Sequence, residues 1–246
     1  LNTIHLNSGQ KIAIKYFSMA VVLFVVQIVF GILAGTQFNN PEFLYQIIDF
    51  NVNRMVHINA MIIWLLYGFI GSVYWLIEDE AKTELVGKKL ANFGFWVLTI
   101  AVLVVVLVFL FIQSGEGSYA SIWLINEGRE YIEAPRWADI GIVFVMLIFF
   151  YNIYATFIKG KWSGIAGVLV LDLAALAGVY LAGMFYSDNI SMDQFWWWWV
   201  VHLWVEATWE VLVGCIMAWV LMKTINADRR IVTTWLYIEV TLMLGS

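Results

Sequence analysis

The chain has 246 residues, of which 63% are hydrophobic and 13% charged, with a net charge of −5 and a mean hydropathy of +0.84. Soluble domains are about 45–50% apolar and about 25% charged, so this composition excludes an ordinary soluble fold and reads as a polytopic membrane protein. A single cysteine, Cys215, excludes an intrachain disulfide, a C-x-x-C-H covalent haem attachment and an iron–sulfur cluster held by cysteines; a small apolar core residue is its simplest role.

A bilayer core needs roughly 20 apolar residues of helix, and that length divides the chain into spans at about 12–36, 52–77, 89–113, 138–158, 162–186 and 195–223. The first run is too long for a signal-peptide core and reads as a spanning helix. A seventh run starts near 231 and stops at Leu244-Gly245-Ser246, before a crossing is complete, and residue 1 is Leu. The expectation is an all-α transmembrane bundle, a single domain over 1–246, with six complete spans and part of a seventh. It reads as the N-terminal piece of something longer or one chain of a split assembly.

Basic residues orient the spans. With the N-terminus in the cytoplasm, Lys11, Lys15, Lys82, Lys88, Lys89, Lys159, Lys161, Lys223, Arg229 and Arg230 lie inside, and only Arg54, Arg129 and Arg136 outside. The three outward arginines are therefore candidates for binding anions. Residues 114–137 form the one long outward connection, rich in acids at Glu116, Glu127, Glu130 and Glu133. A solvated acidic face and a site for a hard cation such as calcium both fit it. Gly31 and Gly35 make one G-x-x-x-G, read as close helix packing. His5, ahead of the first helix, reads as a solvated tail residue.

Helix two opens with FNVNRMVHINAMIIWLLYGFIG, in which Arg54 and His57 are three residues apart and share a face. A hydrogen-bonded core histidine and a haem ligand with an arginine beside the propionates are both open. Helix six carries WWWWVVHLWVEATWE from 196. At about 100° per residue, His202, Glu206 and Glu210 fall on one stripe. A charged acid at mid-bilayer costs on the order of 2.5–3.5 kcal/mol, so the stripe calls for a metal, a proton-carrying role or a polar cluster between helices. Histidine with carboxylate suits iron, copper or zinc. The tryptophans before it fit the aromatic belt of a membrane interface.

The segments FNVNRMVHINAMIIWLLYGFIG, NEGREYIE and WWWVVHLWVEATWE resemble, in that order, the large catalytic subunit of bacterial respiratory nitric oxide reductase, a branch of the haem-copper oxidase superfamily, over nearly the whole chain. Oxygen-reducing members carry His-Pro-Glu-Val-Tyr in helix six, with tyrosine four residues after the histidine; this chain has Glu206 there. The resemblance implies reduction of two NO with two electrons and two protons to N2O and water, at a high-spin haem b paired with a non-haem iron and fed by a low-spin haem b. It implies His57 as an axial ligand of the low-spin haem, with Arg54 and Arg129 near haem propionates. His202 and Glu206 become iron ligands, Glu206 and Glu210 catalytic residues, Glu130 a calcium ligand, and Glu133 with Glu210 part of a proton route. Carboxylate, a hard oxygen donor, suits iron better than copper(I).

It further implies an electron-donor subunit of haem c or copper type on the outward side, the remaining C-terminal half of the core, and a bacterial inner-membrane location; nucleic acid has no part. The family's other iron-ligand histidines and remaining haem ligands are not in this chain. Asp172 and Glu239 match none of the family's usual acids, and Ala207-Thr208 stands where Gly-Val is common. An NO dismutase, a membrane cytochrome or proton relay without a catalytic metal, and a structural scaffold are the alternative readings.

Overall fold

The computed structural model describes residues 5–112 and 124–244; Glu116 of the acidic connection lies outside them. The described elements are α1 (Ser8–Asn39), α2 (Phe50–Ala81), α3 (Lys88–Ile112), α4 (Arg136–Lys159), α5 (Gly164–Ala182), α6 (Ile190–His202), a π-helical turn (Leu203–Trp209), α7 (Glu210–Thr224) and α8 (Arg229–Met243). Six helical segments are long and apolar enough to cross a membrane, with α6, the π turn and α7 counting as one from Ile190 to Thr224. The spans expected from composition are all present. In most cases the helices outrun the apolar windows, because backbone hydrogen bonding continues into polar ends such as those where Asn189 and Asp228 cap α6 and α8 with side-chain acceptors. The fifth stops earlier than expected, at Ala182.

Much of the apolar surface faces outward. In α1 only 17% of the most apolar window is buried within the chain, and Val21, Val25, Ile28 and Ile32 are exposed. For a helix whose surroundings are hydrocarbon, an apolar outer face carries no penalty.

The chain separates into two compact units. The first comprises Leu1–Ala13, Ser72–Asn92 and Met146–Ser246. In it α5 packs on α7 and on the π turn, and α8 packs on both α7 and α5. Polar knots fix its ends. Arg229 at the start of α8 donates from both guanidinium nitrogens to Glu80, at 2.6 and 2.9 Å, and Ser163 Oγ donates to the same carboxylate at 2.7 Å. Buried Asn152 accepts from Tyr74 Oη at 3.0 Å and donates to the Val86 carbonyl at 2.7 Å. Gly87, at φ +74°, brings the backbone so close to Asn152 that a Cβ would collide with its amide.

The second unit comprises Ile14–Gly71 and Phe93–Val145. Its core joins Val52, Met55 and Val56 of α2 to Val105 and Phe109 of α3 and to Ala134 and Ala138 at the head of α4. A buried aromatic group adds Tyr16, Tyr67 and Phe95, with Tyr67 Oη 2.8 Å from Thr99 Oγ1. The first of these cores holds the N-terminal end of α2 and the 124–135 connection against each other.

Candidate haem and metal sites

In the second unit, α2 presents His57 to α1. Its Nδ1 lies 2.8 Å from the backbone carbonyl oxygen of Gln27. A carbonyl only accepts, so Nδ1 carries the proton and Nε2 keeps its lone pair for another partner. The Gln27 side chain is held as well, by Trp64 Nε1 at 3.1 Å. Gly31 makes the approach possible: a Cβ there would stand 2.6 Å from Nδ1 and 2.7 Å from Cε1 of the imidazole, whereas Gly35 has open space. The expected close packing at the G-x-x-x-G therefore rests on its first glycine, and what packs there is the histidine ring.

One turn earlier on α2, Arg54 forms an ion pair with Glu130, 76 residues away. Family resemblance assigns these two side chains to different ligands, propionate and calcium; the fold brings them together. Two residues beyond His57, Asn59 Nδ2 donates to Glu133 Oε2 at 2.8 Å. Glu133 is 5% exposed, and burial pushes its carboxyl up to about 7, against the opposing pull of Asn59 and Arg54. Around it the connection is tightly turned. Gly128 and Tyr131 take positive φ, Ile132 N donates to the Arg129 carbonyl at 3.0 Å, and Arg129 is buried. Arg136 pairs with buried Glu127 through Nε and Nη2. Arg54, His57, Asn59, Glu130 and Glu133 thus share one end of this unit. Asn59 is the member that sequence reasoning missed, and Glu127 and Arg136, each singled out by it, were not foreseen as a pair; Asn59 could have been found from its i+2 place after the histidine only by knowing where Glu133 folds.

In the first unit, His202 closes α6, Glu206 lies inside the π turn and Glu210 opens α7. All three are exposed, whereas Trp204, Ala207, Thr208 and Trp209 between them are buried. His202 and Glu206 share a face as expected, but the helix beneath them is not a regular α-helix. A π turn widens the ring to i→i+5 bonding and re-aims the residues around it, and such turns concentrate at functional sites. Local causes are visible. The Trp204 and Trp209 rings lie 4.8 Å apart, Trp204 also meets Tyr180 at 5.2 Å, and Thr208 Oγ1 donates to the Trp204 carbonyl at 2.8 Å. A hydroxyl bonded to the i−4 carbonyl competes with the backbone ladder.

His202 Nδ1 and Glu206 Oε2 are 3.0 Å apart. With metal–nitrogen and metal–oxygen bonds near 2.1 Å, neighbouring donors on one ion lie about 3 Å apart, so this pair fits two positions of a metal coordination shell. The described residues offer no group of three or more His, Cys, Asp or Glu side chains for a metal, so an ion held by this pair would need further ligands. Of the tryptophans ahead of the stripe, Trp198 and Trp199 are exposed and Trp197 is buried.

Comparison with known proteins places these features in a family. Residues 11–246 match the model described as cytochrome c and quinol oxidase polypeptide I. The chain is 40% identical over 243 residues to a nitric oxide reductase subunit from Stutzerimonas stutzeri, covering 96% of this chain and 50% of that protein. The chain thus spans about half the length of the curated relative it matches.

Proposed function

Given that the chain belongs to the cytochrome c and quinol oxidase polypeptide I family and is an integral membrane protein, we propose that it forms part of a nitric oxide reductase, converting two NO, two electrons and two protons to N2O and water. The observation that carries this reading is the His202–Glu206 pair, an imidazole and a carboxylate 3.0 Å apart where α6 runs into the π-helical turn. Its support is the name of the relative that matches along almost all of this chain.

When bound, haem b and non-haem iron supply the electrons and the metal surface for the reaction. His57, with Nδ1 committed to Gln27, holds the low-spin haem through Nε2, and Arg54 and Arg129 serve the propionates. His202 and Glu206 hold the iron, the carboxylate also balancing metal charge where low dielectric would penalise a bare cation. Glu210, exposed at the start of α7, would carry protons toward that site. Glu133 is suited to a proton route because its buried carboxyl titrates near neutrality. Glu130 would be the calcium ligand, with Arg54 paired to the same carboxylate.

The relative is named as one subunit among others, which supports an assembly with partner chains; we assign an electron donor of haem c or copper type on the outward side, and further ligands from the rest of the core. The distribution of basic residues supports a bacterial inner-membrane topology with the N-terminus in the cytoplasm. The test is gas analysis of the purified complete complex, anaerobic and supplied with reductant. One N2O per two NO consumed, lost in Glu206→Ala, is expected; evolution of O2 without reductant would mean dismutation, and no NO turnover would overturn the reading.

A further inference from the structure

At the edge of the first unit where α2 and α4 end and α5 begins, two backbone segments touch. Lys161 N donates to the Ala81 carbonyl at 2.7 Å, and Gly160 lies so close that a Cβ on it would collide with the same carbonyl oxygen. The contact is flanked by lysines: Lys82 follows Ala81, and Lys159 and Lys161 bracket Gly160. All three are exposed. Lys82 takes φ +54°, the left-handed region in which glycine would end a helix without strain.

The acids nearby are committed elsewhere. Glu80 pairs with Arg229, Asp79 with Lys223 and Glu84 with Lys88; among the described residues no ion pair involves Lys82, Lys159 or Lys161. Glu80 and Glu84 act on Lys82 and Lys159 only from beyond bonding distance. Helix dipoles account for two of the three cations, since Lys82 follows the C-terminus of α2 and Lys159 closes α4. Lys161 stands just ahead of α5, and a helix N-terminus favours an anion beside it, not a cation. The apolar side of the same corner is aromatic. Exposed Trp162 meets Tyr154 edge-on at 6.3 Å and Phe157 at 6.1 Å, and Tyr154 and Ile158 of α4 are exposed as well. Indole and phenol rings gather at the headgroup level of a bilayer, so cations and apolar surface meet here at the height of lipid phosphates. A ligand with an anionic head and an apolar tail matches both surfaces, whereas a free phosphate matches only the first.

We propose that Lys82, Lys159, Lys161 and Trp162 form a binding site for an anionic phospholipid. The lysines hold the phosphate headgroup, and an acyl chain lies along Trp162, Tyr154 and Ile158. The site uses none of the residues assigned to haem, iron or calcium.

The experiment titrates the complete complex in detergent with phosphatidylglycerol, or with phosphatidylcholine of the same chains, and counts bound lipid by native mass spectrometry. The wild type should bind phosphatidylglycerol at least about tenfold more tightly than phosphatidylcholine, at roughly a fivefold share per lysine. The triple variant Lys82→Gln, Lys159→Gln, Lys161→Gln should lose that preference while keeping the haem absorption and thermal unfolding of the wild type. Arginine at the same three positions should restore it. Removing equal charge elsewhere, by Lys11→Gln, Lys89→Gln and Arg230→Gln together, should leave it intact. Gly160→Ala, which forces the two segments apart with every lysine present, should weaken it. No preference in the wild type, or an equal loss in both glutamine triples, would overturn the proposal, the latter by showing diffuse attraction to charge. Displacement of the lipid by millimolar inorganic phosphate would overturn it too, by showing a site for the free anion.

Discussion

The imidazole Nδ1 of His57 sits 2.8 Å from the backbone carbonyl oxygen of Gln27, with Gly31 directly against the ring. That contact sets the tautomer through a backbone acceptor, so it is controlled by helix spacing. Gly31→Ala should crowd the ring, at a cost of about 1–3 kcal/mol for overpacking, and should weaken and shift the low-spin haem absorption bands. Gly35→Ala, with open space around it, should leave both stability and spectrum unchanged. Thermal unfolding in detergent together with visible spectra of the two variants checks this.

Glu133 gives a pH prediction of definite sign. Its carboxyl is raised from 4.5 to about 7 in the fold, so the folded state binds the proton more tightly than the unfolded one. Its contribution to stability is complete below about 4.5 and is lost as pH rises through about 7. The window corresponds to roughly 3 kcal/mol. Glu133→Gln, which mimics the neutral form, should flatten the stability profile between these values. Asn59→Ala removes a donor that favours the ionised form, so it should move the Glu133 titration further upward. Stability measured from about pH 4 to about pH 9 tests both statements.

Arg229 and Glu80 anchor the start of α8. The Glu80 side chain is 8% exposed and that of Arg229 is 54% exposed, so the gain from pairing is partly screened, but removing the arginine strands a buried carboxylate. Arg229→Ala should destabilise by roughly 1–3 kcal/mol. Arg229→Lys should recover only part of that, because a lysine cannot make the two-pronged contact. Chemical denaturation followed by tryptophan fluorescence reads the difference.

What the sequence made legible follows from how far each physical rule reaches. Bilayer thickness acts on consecutive residues, so the spans could be read from composition, and the i, i+4 rule put His202 and Glu206 on one face correctly. The π turn under them was not legible. It depends on Trp204 packing against Trp209 and Tyr180 and on the Thr208 hydroxyl bonding the Trp204 carbonyl, a balance of contacts in which no residue type is diagnostic. Pairings such as Arg54 with Glu130 or Asn59 with Glu133 join residues 76 and 74 apart, beyond any spacing rule. Asp172 and Glu239 were both legible as oddities, acids inside apolar helices, but that their helices α5 and α8 pack on each other emerges only in the fold.

The central claim is that His202 and Glu206 hold a catalytic non-haem iron. The measurement that meets it most directly is the ratio of total iron to haem in the purified complete complex, for wild type, His202→Ala and Glu206→Ala, alongside NO turnover. The account predicts iron in excess of haem in the wild type, loss of that excess in both variants with the His57-ligated haem spectrum retained, and loss of N2O production with it. An active wild type whose iron is all accounted for by haem, or variants that keep both the extra iron and full turnover, would contradict it.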